Sequence, residues 1–186
     1  MIRFMCLPTD SELRITSEFG LRQTGINGAT TDHKGIDLGR DWTKPYTNII
    51  NVRYGKVIEN GWNPYRGWYV TIEHGMWKTR YQHLRDKCKI QIGSYIRSGT
   101  VLGVMGKSAD PSVLNVAVHL HFELIVNGVY KDPKPYLLEV SGGTYMELEN
   151  AIKILKEKAN LNDDTIQYLL FYRYGKELII KLASVM

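Results

Sequence analysis

"VHLHFEL", residues 118–124, sets His119 and His121 one residue apart, with Glu123 two further on. Read as a β-strand, the segment sends these three side chains to one face and Val118, Leu120, Phe122 and Leu124 to the other, because successive side chains of a strand alternate. A second pair, His33 and Asp37, lies in "HKGID". Their even spacing lets extended backbone aim both to one side, while Gly35 gives freedom to bend and, with Gly39, argues against a helix. His83 closes "YQHL" on the strand parity of Tyr81, and His74 occupies "EHG". Imidazoles with one carboxylate are the donor set of a catalytic zinc, which takes three protein ligands and keeps a fourth position for water. His33 and Asp37 fill two places, and His119 or His121 fills the third, leaving the other for proton or charge work. The chain has no HExxH segment, so the helix-borne glutamate base of that zinc class is absent. His74 is set apart, since a His-Gly pair in a hairpin turn needs no chemistry.

The elements that must position these residues are mostly strands. "WYVTIEHG" and "KTRYQHL" read as two strands joined at His74-Gly75, and "IINVRYGKVIEN", "TVLGVMG" and "HLHFELIVNGVY" as further ones. Gly55, Gly61, Asn63-Pro64, Gly93, Gly99, Gly106 and Asn127-Gly128 punctuate them. Many short strands with regular turn signals predict a mainly β sheet assembly over residues 1–140. Composition changes at "EVSGGTYMELEN". From there Tyr145, Leu148, Ile152, Leu155 and Ala159 recur in steps of three and four, on one helical face. Thr144 and Glu147 fit a capping box at its start. A second helix is expected from Asn162 or Asp163 as N-cap, with Gly175 kinking or splitting it. Residues 141–186 thus read as a small helical appendage, marginal alone and expected to pack on the β domain or on a partner.

With 44% hydrophobic and 23% charged residues, the 186-residue chain has the makings of an ordinary globular core. No apolar run approaches the roughly 20 residues of a membrane-spanning helix, and "MIRFMCLPTD" lacks the apolar stretch of a signal peptide. Release by a phage-type route, or carriage in a virion or secretion assembly, is the corresponding expectation. Cys6 and Cys88 are too few and too far apart for a disulfide framework or a CxxC metal site. The net charge of +5 favours anionic partners. The Lys and Arg residues are dispersed and no nucleic-acid motif occurs, so a nucleic-acid partner is not expected.

Taken in order, "ITSEFGLR", "HKGIDLG", "YGKVIENGW", "WYVTIEHG", "TRYQHL", "IGSYIRSGTVLGVMGKS" and "HLHFELIVNGVYKDPKPYL" resemble the lysostaphin/LytM-type zinc endopeptidases of bacterial cell walls. The resemblance covers nearly all of the first 140 residues. It implies a compact antiparallel β fold with a groove across the sheet, with bacterial peptidoglycan, cut in a stem peptide or cross-bridge, as substrate. It makes His33, Asp37 and His121 the zinc ligands and His83 and His119 the catalytic histidines. Two neutral imidazoles and one carboxylate leave such a site net positive, which acidifies a bound water to about pKa 7. His83 and His119 then serve the oxyanion or the proton transfer, and Glu123 is placed to orient an imidazole. The alternative implied by the same fold is a wall-binding or scaffold module without catalysis, which such proteins reach by losing a ligand. "MGKSADPSVLNVAVHLH" is longer than the corresponding family segment and has no glycine between Gly106 and His119, so a reshaped groove wall is expected.

Overall fold

The computed structural model describes residues 2–23, 30–162, 164–166, 169, 179, 182 and 183, with backbone alone for 142–151. Along the described chain β1 (Ile15–Ser17) and β2 (Gly20–Leu21) precede β3 (Asp32–His33) and β4 (Ile36–Gly39), the pair that carries "HKGID". After β5 (Asn48–Ile50) come three long strands, β6 (Gly55–Asn63), β7 (Gly67–Glu73) and β8 (Trp77–Leu84). β9 (Tyr95–Ile96) and β10 (Val101–Val104) are short. β11 (His119–Val126) bears the HxH segment and forms a hairpin with β12 (Val129–Lys131). The main sheet is ordered β1-β4-β11-β8-β7-β6-β9, with β12 beside β11. Its pairings are antiparallel, the mainly β architecture expected from the turn pattern.

Alternation decides which face of this sheet is core. On β11, Leu120, Phe122 and Leu124 are fully buried, together with Ile36 of β4, Val70 and Ile72 of β7, and Tyr81 of β8. Phe4 packs edge-on against Phe122 with ring centroids 5.7 Å apart. Each such side chain contributes about 1.5–3 kcal/mol by leaving water. The intervening residues, His119, His121 and Glu123, face the other way. β11 lies between β4 and β8, so His121 is opposite Asp37 on one side and Gln82 on the other.

One strand breaks the alternation. Tyr81 and His83 share parity in sequence, yet Tyr81 is wholly inside the core while His83 reaches the opposite face. The cause is the backbone of His83, whose φ of 63° is left-handed. Histidine is among the non-glycine residues that enter this region more readily, though uncommonly.

His74 has more partners than a hairpin turn requires. It does sit in the β7–β8 connection, but Nδ1–H donates to the Tyr54 carbonyl at 3.0 Å and Nε2 accepts from the Thr79 hydroxyl at 2.8 Å. Its ring lies 4.2 Å from that of Trp77. The Thr79 and Tyr81 hydroxyls are in turn 3.2 Å apart, and Val52 N donates to the latter. Burial pushes the imidazole down to about 4, with the Arg53 charge adding to burial and the Tyr54 bond opposing it. His74 is therefore a neutral structural anchor.

The described chain divides into two compact units, residues 1–140 and 141–186. The helix α1 (Lys134–Ala159) begins ten residues before the capping box read at Thr144. Asp132 Oδ1 accepts from Lys134 N at 2.9 Å, and Pro133 follows it. Asp as cap and Pro at the first helical position form a strong start, which outcompetes the Thr144 signal downstream. Leu137 joins the core of the first unit. Asn160, with φ of 54°, ends α1 in the left-handed conformation. In the second unit Leu155, Ile166, Ile179 and Ala183 form a small buried cluster with Ile152 and Ala159 against it. Asn162 caps the next helical residues, Thr165 N donating to its Oδ1 at 2.9 Å. The kink read at Gly175, and the side chains of Tyr145 and Leu148, lie outside the described residues. Among the described residues no helix is long and apolar enough to cross a membrane.

Candidate metal centre and active-site groove

Three strands bring three donors to one point. His33 on β3, Asp37 on β4 and His121 on β11 place His33 Nε2 3.1 Å from Asp37 Oδ1 and 2.9 Å from His121 Nδ1. His121 Nδ1 is 2.9 Å from the same Asp37 oxygen. Gly35 makes this approach possible for a reason other than flexibility. A Cβ there would lie 2.5 Å from the Phe122 carbonyl oxygen and 2.8 Å from His121 Nε2. Glycine is required for space.

The proton positions follow from the far side of each ring. His33 Nδ1 lies 2.6 Å from the Glu18 carbonyl oxygen, which only accepts, so the proton is on Nδ1 and the Nε2 lone pair faces inward. His121 Nε2 lies 3.3 Å from Glu123 Oε1, again an acceptor, so in the neutral ring the Nδ1 lone pair faces inward. Two nitrogen lone pairs and a carboxylate oxygen thus converge with no proton between them. Such an arrangement calls for a cation, and three oxygen or nitrogen donors at this spacing fit one small metal ion. Without it, a proton substitutes. Burial opposes charge on His121, but its bonds to Asp37 and Glu123 prevail and raise it to about 9. Burial likewise opposes charge on Asp37, while the bond from His121 and its charge hold the carboxyl well below the usual range. The second Asp37 oxygen accepts from Arg22 at 3.1 Å, leaving Oδ1 for the centre.

The other two histidines stand beside these donors. His83 and His119 have ring centroids 4.7 Å apart, and His83 and His121 6.3 Å apart. His119 Nδ1–H donates to the Ala117 carbonyl at 2.8 Å, which turns its Nε2 lone pair toward the centre, 3.5 Å from Asp37 Oδ1. Of the two, His121 makes the close contacts to both His33 and Asp37, and His119 stands one step back. Burial, reinforced by the charges of His119 and His121, lowers His83 to about 2, so it is a neutral imidazole. Its buried Nδ1 has no hydrogen-bond partner among the described residues.

These five residues line a groove of about 820 Å³. The long segment before His119 supplies one wall through Leu114, Val116, Ala117 and Val118. Arg14, Arg40 and Arg66 also line it, and none has a carboxylate within 4.0 Å among the described residues. Sequence reasoning missed Arg22, the Glu18 carbonyl, Arg80 and Gln82, which touch the donor residues or Glu123. Arg80 and Gln82 carried a usable signal, since they alternate with the apolar Tyr81 in "TRYQHL" and so share a face. A carbonyl partner leaves no mark in a sequence.

Comparison with known proteins agrees with this geometry. The profile of Peptidase family M23 matches residues 31–133, from the strand of His33 to the end of the β region. Lysostaphin of Staphylococcus staphylolyticus is 31% identical over 143 residues, covering 71% of this chain and 28% of that protein. The peptidoglycan DD-endopeptidase ShyA of Vibrio cholerae is 34% identical over 127 residues, covering 67% and 28% respectively. The chain thus spans under a third of the length of these curated relatives. Among solved structures, a zinc-containing peptidase from Vibrio cholerae superposes with a TM-score of 0.58 at 32% identity, over 70% of this chain and 39% of that one. The catalytic domain of lysostaphin from Staphylococcus simulans gives 0.54 at 28% identity, over 67% and 92%. With the profile running through the strands that carry His33, Asp37, His83, His119 and His121, the chain belongs to peptidase family M23, a family of metallopeptidases.

Proposed function

We propose that the protein is a zinc-dependent endopeptidase that hydrolyses peptide bonds of bacterial peptidoglycan, in a stem peptide or a cross-bridge. The observation that carries this reading is the convergence of His33 Nε2, Asp37 Oδ1 and His121 Nδ1 at a groove that also holds two further imidazoles. Two nitrogens and one carboxylate oxygen suit zinc with an open fourth position. When bound, zinc supplies Lewis-acid polarisation of the scissile carbonyl and acidifies the attacking water.

The remaining steps belong to this chain's own residues. His119, its Nδ1 proton committed to Ala117, presents a free Nε2 lone pair that takes the proton of the attacking water and returns it to the leaving amine. His83, neutral and with an unpartnered ring nitrogen, is the candidate donor to the developing oxyanion. Arg14, Arg40 and Arg66, which line the groove with no carboxylate within 4.0 Å among the described residues, make it attractive to an anionic wall polymer. The relatives named as lysostaphin and peptidoglycan endopeptidase support the substrate.

The test is metal analysis combined with zymography on purified cell walls. The reading expects about one zinc per chain, clearing of the wall layer, and loss of clearing with a chelator. A zinc-free protein, or one that clears walls equally well in chelator, overturns it. A zinc-loaded protein that binds walls without cutting them marks the wall-binding alternative.

A further inference from the structure

A polar rung crosses four strands of the sheet and ends on the candidate metal ligand His121. Glu59 on β6 is the register partner of Thr71 on β7, Thr71 of Arg80 on β8, and Arg80 of Glu123 on β11. The side chains follow the register. Arg80 donates through Nε to Thr71 Oγ1 at 2.9 Å, through one terminal nitrogen to Glu59 Oε2 at 3.1 Å, and through the other to Glu123 Oε2 at 2.9 Å. Glu123 Oε1 accepts from Gln82 Nε2 at 2.7 Å and stands 3.3 Å from His121 Nε2. Arg80 and Glu123 are almost withdrawn from water, their side chains 11% and 6% exposed.

We infer that Arg80 is a positioning residue for the metal centre, acting through Glu123 on His121; the inference rests on the zinc reading above. A carboxylate has two oxygens, and here they are divided. Arg80 occupies Oε2, which turns Oε1 toward the imidazole, and Gln82 fixes the remaining rotation. The Nε2 proton of His121 is thereby held away from the centre, and Nδ1 is left free to bind a metal. Charge points the same way. Glu123 is buried and holds its carboxylate behind the ring, on the side opposite the donors. That charge raises the ring's basicity toward a cation. If the rung served only to staple strands, a neutral rung would fill the same place at a smaller desolvation cost.

The experiment is competitive zinc titration of the full chain with a chromophoric chelator, alongside denaturant unfolding of each variant. Glu123→Gln keeps shape but offers one oxygen to three donors, so either His121 or Arg80 loses its acceptor. Zinc affinity is expected to fall about 10–100-fold. Arg80→Met, which frees Glu123 from its anchor, is expected to fall by a similar factor. The double variant Arg80→Met/Glu123→Gln should bind zinc no more weakly than the weaker single variant, because Arg80 acts through Glu123. Glu59→Gln alters only the outer, half-exposed end and should change affinity less than about fivefold. Should Arg80→Met alone not fold, Arg80→Lys takes its place: its smaller loss must vanish in the Glu123→Gln background. Wild-type zinc affinity in folded Arg80→Met, or single losses that multiply in the double variant, overturns the inference, and a stability change without an affinity change assigns the rung to strand stapling. A wild-type chain that binds no zinc would instead overturn the functional reading.

Discussion

Acidification tests the anchoring of His74. An unfolded imidazole titrates near 6.5, whereas His74 in the fold is pushed down to about 4, first by burial. Between these values the unfolded chain binds the proton and the folded chain refuses it. Stability attached to this residue is therefore complete above pH 6.5 and is lost as pH falls toward 4. At pH 4.5 the unfolded ring is almost fully protonated and the folded ring about one-quarter so, which corresponds to about 2.5 kcal/mol. The ring is only partly buried, and solvent screening trims this to about 1–2 kcal/mol. The assay is urea unfolding of wild type and His74→Gln at steps from pH 7.5 to 4.5, in chelator so that metal loss does not enter. Removing the Tyr54 and Thr79 bonds makes the variant less stable at pH 7.5 by about 1–2 kcal/mol. That gap should close by a similar amount at pH 4.5, because only the wild type carries this proton debt. The other histidines titrate in both proteins and cancel. A gap that stays constant, or widens on acidification, refutes the assignment of His74 as a buried neutral anchor.

Zinc uptake should displace the proton that occupies His121 in the metal-free protein. Since that ring is raised to about 9, apparent affinity should climb with pH up to about 9, and calorimetry in buffers of different ionisation enthalpy should show about one proton released at pH 7. His33→Ala, Asp37→Ala and His121→Ala should each sharply lower zinc content, read by elemental analysis. His83→Ala and His119→Ala should keep the metal while turnover on soluble wall fragments falls about 100-fold or more; zinc lost from His119→Ala but kept in His121→Ala would exchange their roles. Gly35→Ala, whose Cβ would stand 2.8 Å from His121 Nε2, should destabilise the fold by about 1–3 kcal/mol and weaken zinc binding, whereas Gly128→Ala, with open space around it, should spare the metal.

Much of this architecture is legible in the sequence because strand alternation is a local rule. Leu120, Phe122 and Leu124 had to share a face, and so did His119, His121 and Glu123. Alternation fails at His83, where a left-handed backbone sends the ring to the opposite face from Tyr81, and no residue type announces that turn. It also cannot separate His119 from His121, because their difference lies in what each ring nitrogen touches: Ala117 O in one case, Glu123 in the other. The start of α1 was obscured because Asp132-Pro133 reads as a loop ending when followed by "KPYL", whereas the same pair is an efficient helix cap once Lys134 N is aimed at the carboxylate. The Arg80 rung depends on register across four strands, which only the folded sheet supplies.

The wall segment between Lys107 and Val118 divides two duties between two kinds of atoms. Its start is fixed by Ser108 Oγ, which bridges Trp68 N and Leu84 O, and by Asp110 N on the Pro64 carbonyl. Its end holds the His119 proton through the carbonyl of Ala117. Leu114 and Val116, by contrast, line the groove. Every amino acid brings the same carbonyl, so exchanges at Leu114 and Val116 leave the His119 tautomer untouched while altering what the groove accepts. Insertions and deletions are different, because they move the carbonyl itself. The length of this segment therefore sets where the His119 proton is held, and its groove-lining side chains set what the groove accepts.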